Sequence, residues 1–122
     1  EVKSLLDVNT SDSLDFVQAA TDISTRYKTN VVLSMGADGA IAANGHDVFL
    51  VKSPNVEAKS AVGSGDCMLA GLTYGVLRGF SFEETIAGGV AAGAANTLTI
   101  GAGQFKIQDF ERLRGQVHML RR

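Results

Sequence analysis

A single cysteine, Cys67, stands in the whole sequence, so no disulfide can form within the chain, and a reducing, cytoplasmic setting is its simplest home. Histidine is nearly as scarce. His46 and His118 are far apart and lack metal-ligand company, so both read as surface or hydrogen-bonded side chains. No apolar run is long enough for a bilayer: the stretch from Ile86 to Ala95 is too short and too rich in glycine, and no cationic start followed by an apolar region marks a signal peptide. An excess of positive charge is missing too. With a formal charge of −2 and 20% charged residues, the chain carries no footprint for duplex nucleic acid or an anionic membrane. Arg121 and Arg122 read as a short solvated end. A soluble protein is expected.

What is present suffices for one compact domain: 122 residues, 45% of them hydrophobic. The opening EVKSLLDVNT has no initiator Met and enters inside a helical pattern, so a fragment of a longer protein is expected. Phe16, Ala20, Ile23 and Tyr27 recur at helical spacing, with Ser11 or Asp12 as cap, and predict a helix over about 12–28. VVLS (31–34) reads as a short buried strand, followed by the glycine-punctuated turn MGADGA. AIAA (40–43), a turn at NGHD and VFLVK (48–52) read as a hairpin. An extended piece, NVEAKS, leads to a glycine loop. Beyond it, Leu69, Leu72, Val76 and Leu77 form an apolar stripe that Gly79 ends. Ser81 and Glu84 make a capping box for a helix over about 82–98. Inside that helix Gly88, Gly89 and Gly93 each cost about 1 kcal/mol against alanine, so close approach of another backbone or of a flat ligand must compensate. Phe110, Leu113 and Val117 suggest a closing helix. The sum is an α/β layered architecture.

The loop itself is SAVGSGDCMLAG (60–71). A helix start offers unpaired N–H groups and the positive end of the peptide dipoles, a place for an anion. Gly63 and Gly65 remove side chains that would hold a phosphate away. No Lys-Ser/Thr pair follows, and Met68 occupies the place of the third glycine of G-x-G-x-x-G, so the usual nucleotide fingerprints are excluded. Asp66 admits two readings. It can serve the helix dipole or a tight turn for about 0.3–1 kcal/mol. It can equally be the base that takes a hydroxyl proton beside donors that hold a transferred phosphoryl group.

SAVGSGDCMLAGLTYGVL (60–77) resembles the C-terminal signature of the ribokinase/PfkB family of sugar kinases, whose G-A-G-D or G-S-G-D loop opens a long helix. VVLSMGADGA (31–40) resembles the strand and turn of that family that meet the nucleotide, and the likeness continues through AAGAANTL (91–98), covering residues 1 to about 110. The resemblance implies a ribokinase-like layered α/β/α fold, with residues 1–122 as its C-terminal nucleotide-binding and catalytic-base portion. It implies Asp66 as general base and the amides of Gly63, Ser64 and Gly65 as anion hole. Ser34, Met35, Gly36, Ala37, Asp38 and Gly39 would border ATP, and Asn96 would lie near the nucleotide on the alanine-rich helix, whose small residues let adenine lie close. A hairpin turn is the plainer account of Gly36 and Gly39, and a polar helix surface that of Asn96. EVKSLL resembles the tail of an N-x-x-E-L pattern, which would make Glu1 a water-mediated Mg²⁺ residue.

Ser60 and Ala61 depart from the D-T-x-G that many members carry before the loop. That departure removes the expectation of a monovalent-cation site and points to the branch acting on phosphorylated sugars, nearest the 1-phosphofructokinases and then the tagatose-6-phosphate kinases. The implied reaction is ATP-dependent conversion of fructose 1-phosphate to fructose 1,6-bisphosphate, with ATP, Mg²⁺ and a ketose phosphate as partners. Members are roughly twice to three times as long, and the N-terminal sugar-binding part and strand lid are expected to be missing, leaving this piece inactive alone. Strands of a parallel sheet cut from their neighbours would expose an edge and favour association between copies. Two other functions compete: a nucleotide-binding module without chemistry, and a structural domain whose glycines only make turns.

Overall fold

The computed structural model describes residues 13–45 and 47–122, with side chains from residue 15 onward. The expected caps Ser11 and Asp12, together with Glu1 and His46, lie outside the described residues. Helix α1 (Ser13–Tyr27) leads to β1 (Asn30–Ser34), a 3₁₀ turn (Gly36–Asp38), β2 (Ala40–Asn44) and β3 (Asp47–Lys52). Helices α2 (Ser64–Leu77), α3 (Phe82–Asn96) and α4 (Ile107–Arg114) follow, and β4 (His118–Arg121) closes the chain. The strands form one sheet in the order β1-β2-β3-β4, and every pairing is antiparallel, so the expectation of parallel strands does not hold for this part of the fold.

Strand alternation sets the layers. On one face Ile41 and Ala43 of β2, with Val48 of β3, pack against Ala20 and Ile23 of α1. On the other face Ala40, Ala42, Phe49 and Val51 pack against Ile86 and Val90 of α3. Covered on both sides, β2 is apolar at every position but its last and uses alanine at three of them. The result is helix, sheet, helix: the layered α/β/α arrangement. Tyr27, expected on the buried stripe of α1, is exposed instead, because the helix ends there beyond the sheet. β1 is an edge strand in which only Val31 is buried, not the fully covered strand that a β-branched run suggests.

The helical layer is held differently. The expected stripe of α2 does not form the core: Leu69, Val76 and Leu77 are exposed and only Leu72 packs inward, with Met68. The helix turns its glycine face to α3. A Cβ at Gly71 would lie 2.9 Å from the Gly88 carbonyl and 3.0 Å from Gly89 Cα, and one at Gly75 would press on Thr85. Close approach compensates for Gly89, where a Cβ would stand 2.6 Å from the Leu72 side chain, and for Gly93, where it would stand 3.3 Å from the Ser64 carbonyl, whereas the Cβ position of Gly88 is open. Helix α3, flanked by α2, α4 and the sheet, is buried along most of its length. Its start carries the expected capping box: the Glu84 N–H donates to Ser81 Oγ at 3.1 Å and the Ser81 N–H to Glu84 Oε1 at 3.2 Å. Gly79, at φ +73°, ends α2 as expected.

The chain's end corrects one expectation, the extent of the closing helix, and adds order to another, the exposed Arg121 and Arg122. Helix α4 stops at Arg114, short of Val117. Arg121 is no loose tail: it lies in β4, donates to Asp47 at 2.6 Å and stacks 5.7 Å over Phe49, while the Arg122 N–H donates to the Val48 carbonyl.

Two measurements check this packing. A Cβ at Gly88 meets nothing within 4 Å, so Gly88→Ala should raise stability by up to about 1 kcal/mol, whereas Gly71→Ala should lower it by about 1–3 kcal/mol in urea unfolding. The Glu84 carboxyl is held below its ordinary value of 4.5 by the Ser81 hydroxyl first and the Ser81 N–H second. Because the folded value is the lower one, this stabilisation is complete above the unfolded pKa and lost as pH falls through the folded one. Ser81→Ala should therefore lower stability near neutral pH and leave a smaller further loss below about pH 4.5 in the same unfolding assay.

Candidate functional site

The tip of α2 owes its shape to Gly63. This residue sits at φ +83°, and a Cβ there would stand 2.7 Å from the Ala102 Cβ, so both conformation and space demand glycine. Ser64 then begins the helix, its N–H donating to the Ala61 carbonyl at 3.2 Å. Among the described residues, the N–H groups of Gly63, Gly65 and Asp66 have no protein acceptor. These orphan donors at the positive end of a helix are the components of an anion site.

Gly65 is different from Gly63. Its backbone is not left-handed, and a Cβ would meet nothing within 4 Å, so the fold has no use for a missing side chain here. The bare backbone is open to the outside of the protein. That is what close approach of a ligand to the amides would require.

Gly65 and Ser64 form one wall of a cleft of about 260 Å³. Ser34, Gly36, Ala37 and Gly39, from the end of β1 and the turn that follows it, line the same cleft, as do Val90, Gly93 and Ala94 of α3. Two stretches some thirty residues apart in the sequence thus meet at one opening. The turn is built by the Met35 N–H donating to the Gly39 carbonyl at 2.8 Å and by Gly39 at φ +102°, where a Cβ would collide with the Val51 carbonyl. A hairpin turn therefore accounts for Gly39, and the same turn borders the cleft. Whole-ligand pockets run to about 300–1,000 Å³, so this cleft has room for a small group or for part of a larger ligand.

The other residues singled out in the sequence lie apart from this wall. Met35 packs into the cluster under α1, and the exposed Asp38 borders a separate open hollow beside β3. Asp66 is exposed one residue beyond Gly65, in the first turn of α2, outside the cleft lining. Asn96 is not on a helix surface: it is 1% exposed, and its amide is spent inside the protein on Val62, Ser64 and Gly103. Sequence reading missed the segment Ser53, Pro54, Asn55 and Val56, which closes the cleft beneath the turn. Its one signal is the chain's only proline, Pro54, the second residue after β3. No group of three or more metal-ligating side chains occurs among the described residues, and no helix there is long and apolar enough to cross a membrane.

Gly65→Ala separates packing from binding. Thermal unfolding of the variant should match or slightly exceed the parent's, while calorimetry with ATP should show binding weakened at least tenfold.

Comparison with known proteins gives this geometry a family. The model for the "pfkB family carbohydrate kinase" matches residues 1–108. The chain is 38% identical over 89 residues to 1-phosphofructokinase of Escherichia coli K12, covering 71% of this chain and 28% of that protein. It is 42% identical over 82 residues to the ATP-dependent 6-phosphofructokinase isozyme 2 of Mycobacterium tuberculosis, covering 67% of this chain and 24% of that one. Among solved structures, phosphofructokinase-2 from Escherichia coli in complex with potassium superposes with a TM-score of 0.88 at 31% identity, over 95% of this chain and 38% of that chain. The chain thus spans between 24% and 38% of the length of these relatives. A layered fold, a cleft floored by a bare helix tip and a family model matching most of the sequence agree: the chain belongs to the pfkB family of carbohydrate kinases.

Proposed function

We propose that this chain is the nucleotide-binding and catalytic-base portion of a kinase that transfers the γ-phosphoryl group of ATP to a ketose phosphate. The observation that carries the reading is the meeting of the Ser34–Gly39 turn with the Ser64–Gly65 helix tip across one cleft. The base and ribose of ATP lie between the turn and the small residues of α3, and the phosphates run toward α2. There the free N–H groups of Gly63, Gly65 and Asp66 bear on the transferred group, where charge is spread over its equatorial oxygens. The sugar oxygen attacks the γ-phosphorus, its proton passes to the Asp66 carboxylate, and ADP leaves with the bridging oxygen's electron pair. Asp66 suits this task by position, exposed in the turn that carries the amides.

Mg²⁺ would arrive on the ATP oxygens, where it neutralises phosphate charge. The described residues form no resident site for it, and Glu1 lies outside them. Fructose 1-phosphate is the substrate favoured by the likeness to 1-phosphofructokinase, and fructose 6-phosphate is the second reading, favoured by the likeness to 6-phosphofructokinase isozyme 2. Either gives fructose 1,6-bisphosphate. Sugar contacts belong to the part of the relatives that this chain does not span. Positioning of both reactants supplies about 7–11 kcal/mol of barrier lowering, so the 122 residues alone should turn over little or no substrate.

In the complete kinase, Asp66→Asn should lower kcat by about 10²–10⁴-fold while ATP binding by calorimetry stays near that of the parent. Parental turnover in that variant would remove Asp66 from the mechanism. A coupled assay of ADP release across ketose monophosphates identifies the sugar.

A further inference from the structure

Asn96 is the last residue of α3, and its side chain is enclosed, at 1% exposure. Nδ2 donates to the Val62 carbonyl at 2.8 Å and to Ser64 Oγ at 3.0 Å, on the two residues flanking Gly63. Oδ1 accepts from the Gly103 N–H at 2.8 Å, in the loop after α3. A carbonyl can only accept and an N–H can only donate, so these partners fix which way the amide faces. They also fix what the residue must be: only a carboxamide carries both functions at this reach. The same end of α3 holds the first of these loops a second time, since the Thr97 carbonyl accepts from the Lys59 N–H at 2.6 Å and the Ser60 N–H at 3.2 Å. Two loops far apart in sequence, 59–64 and 101–103, are thereby tied to one helix end, with Ala102 pressed against Gly63.

We propose that Asn96 is a positioning residue of the phosphoryl site, its carboxamide holding the Val62–Ser64 turn against the Gly101–Gly103 loop so that the free amides of Gly63 and Gly65 face the transferred group. The inference rests on reading the α2 tip as the anion hole. Asn96 itself touches no substrate; it acts through the backbone it holds. Donors aimed at developing charge work because they need no reorganisation during the reaction, and a displacement of about 1 Å can cost about 10²-fold in rate. Loss of the clamp should therefore fall on kcat rather than on nucleotide affinity, since the donors bear on charge that develops in the transition state and, unlike a Cβ added at Gly65, the change puts no new atom into the cleft.

Ser24 provides the control, for it is the same kind of device on the far side of the sheet. It is 1% exposed, its Oγ donating to the Thr29 carbonyl at 2.7 Å and accepting from the Gly45 N–H at 2.8 Å. In the complete kinase, steady-state kinetics are measured for Asn96→Ala, Asn96→Asp, Ser64→Ala and Ser24→Ala, at a temperature where circular dichroism finds each folded. Asn96→Ala should lower kcat by about 10²-fold with KM for ATP near that of the parent. Asn96→Asp should do no better, because a carboxylate cannot donate to the Val62 carbonyl. Ser24→Ala should lower the melting temperature and leave both constants unchanged. Parental kcat in Asn96→Ala, or an equal loss in Ser24→Ala, overturns the proposal. If Asn96→Ala does not fold, Ser64→Ala decides: a several-fold fall in kcat supports the clamp, and parental turnover overturns it. Asp66→Asn in the same series reports separately on the underlying reading, so an inert aspartate and an inert clamp give different patterns.

Discussion

The contact on which the rest depends is the crossing of α2 over α3, backbone against backbone. Gly71 and Gly75 face Gly88, Gly89 and Thr85 along the middle of the crossing. At the tip, a Cβ on Gly93 would be only 3.3 Å from the Ser64 carbonyl. The contact therefore runs the length of α2 and ends at the residues of the proposed anion site. Met68 and Leu72 add to this hold by packing into the cluster between α3 and the sheet, while the outer face of α2 carries Leu69, Val76 and Leu77 into solvent. The direction in which the free amides point is set by how closely two helices can approach, and glycine sets that distance. Rigid placement of the donors follows from it.

The same crossing explains which expectations hold and which do not. Capping at Ser81 and Glu84, the helix stop at Gly79 and the hairpin of β2 and β3 are legible because each is a local device, complete within a few residues. The orientation of α2 is not local. Periodicity identifies the leucine and valine stripe as the inward face, yet the helix presents glycines inward, since backbone contact with α3 excludes larger residues. β4 is illegible for a related reason. HMLR carries no alternation of its own, and its place is fixed by pairing with β3 and by Arg121 reaching Asp47, 74 positions earlier.

At the candidate site, the sequence marks the glycine-rich elements and leaves out their supports. The glycine loop with its aspartate and the turn through Gly39 stand out in the sequence by their bare backbone, and parts of both line one cleft. Ser53 to Val56 have no such mark, as they enter the cleft only because β3 delivers them beneath the turn. Asn96 is singled out by position and misread in role. A polar residue ending an alanine-rich helix looks like a group left free for a ligand, but burial obliges its amide to find protein partners, and it finds them on both loops.

The three small residues of the loop thus do separate work. Gly63 allows the left-handed turn and the contact with Ala102, so its role is architectural. Ser64 places an oxygen where Asn96 can bind it, and so joins the tip to the helix behind it. Gly65 has neither duty: its conformation is ordinary and its Cβ position is empty. Alanine would be the better helix former at that position by as much as about 1 kcal/mol. Glycine where alanine would fit is what the proposed anion site calls for, since it leaves open the tip that carries the free N–H groups of Gly63, Gly65 and Asp66. The tip is therefore tied down from behind and left bare in front, as donors held for an incoming anion must be.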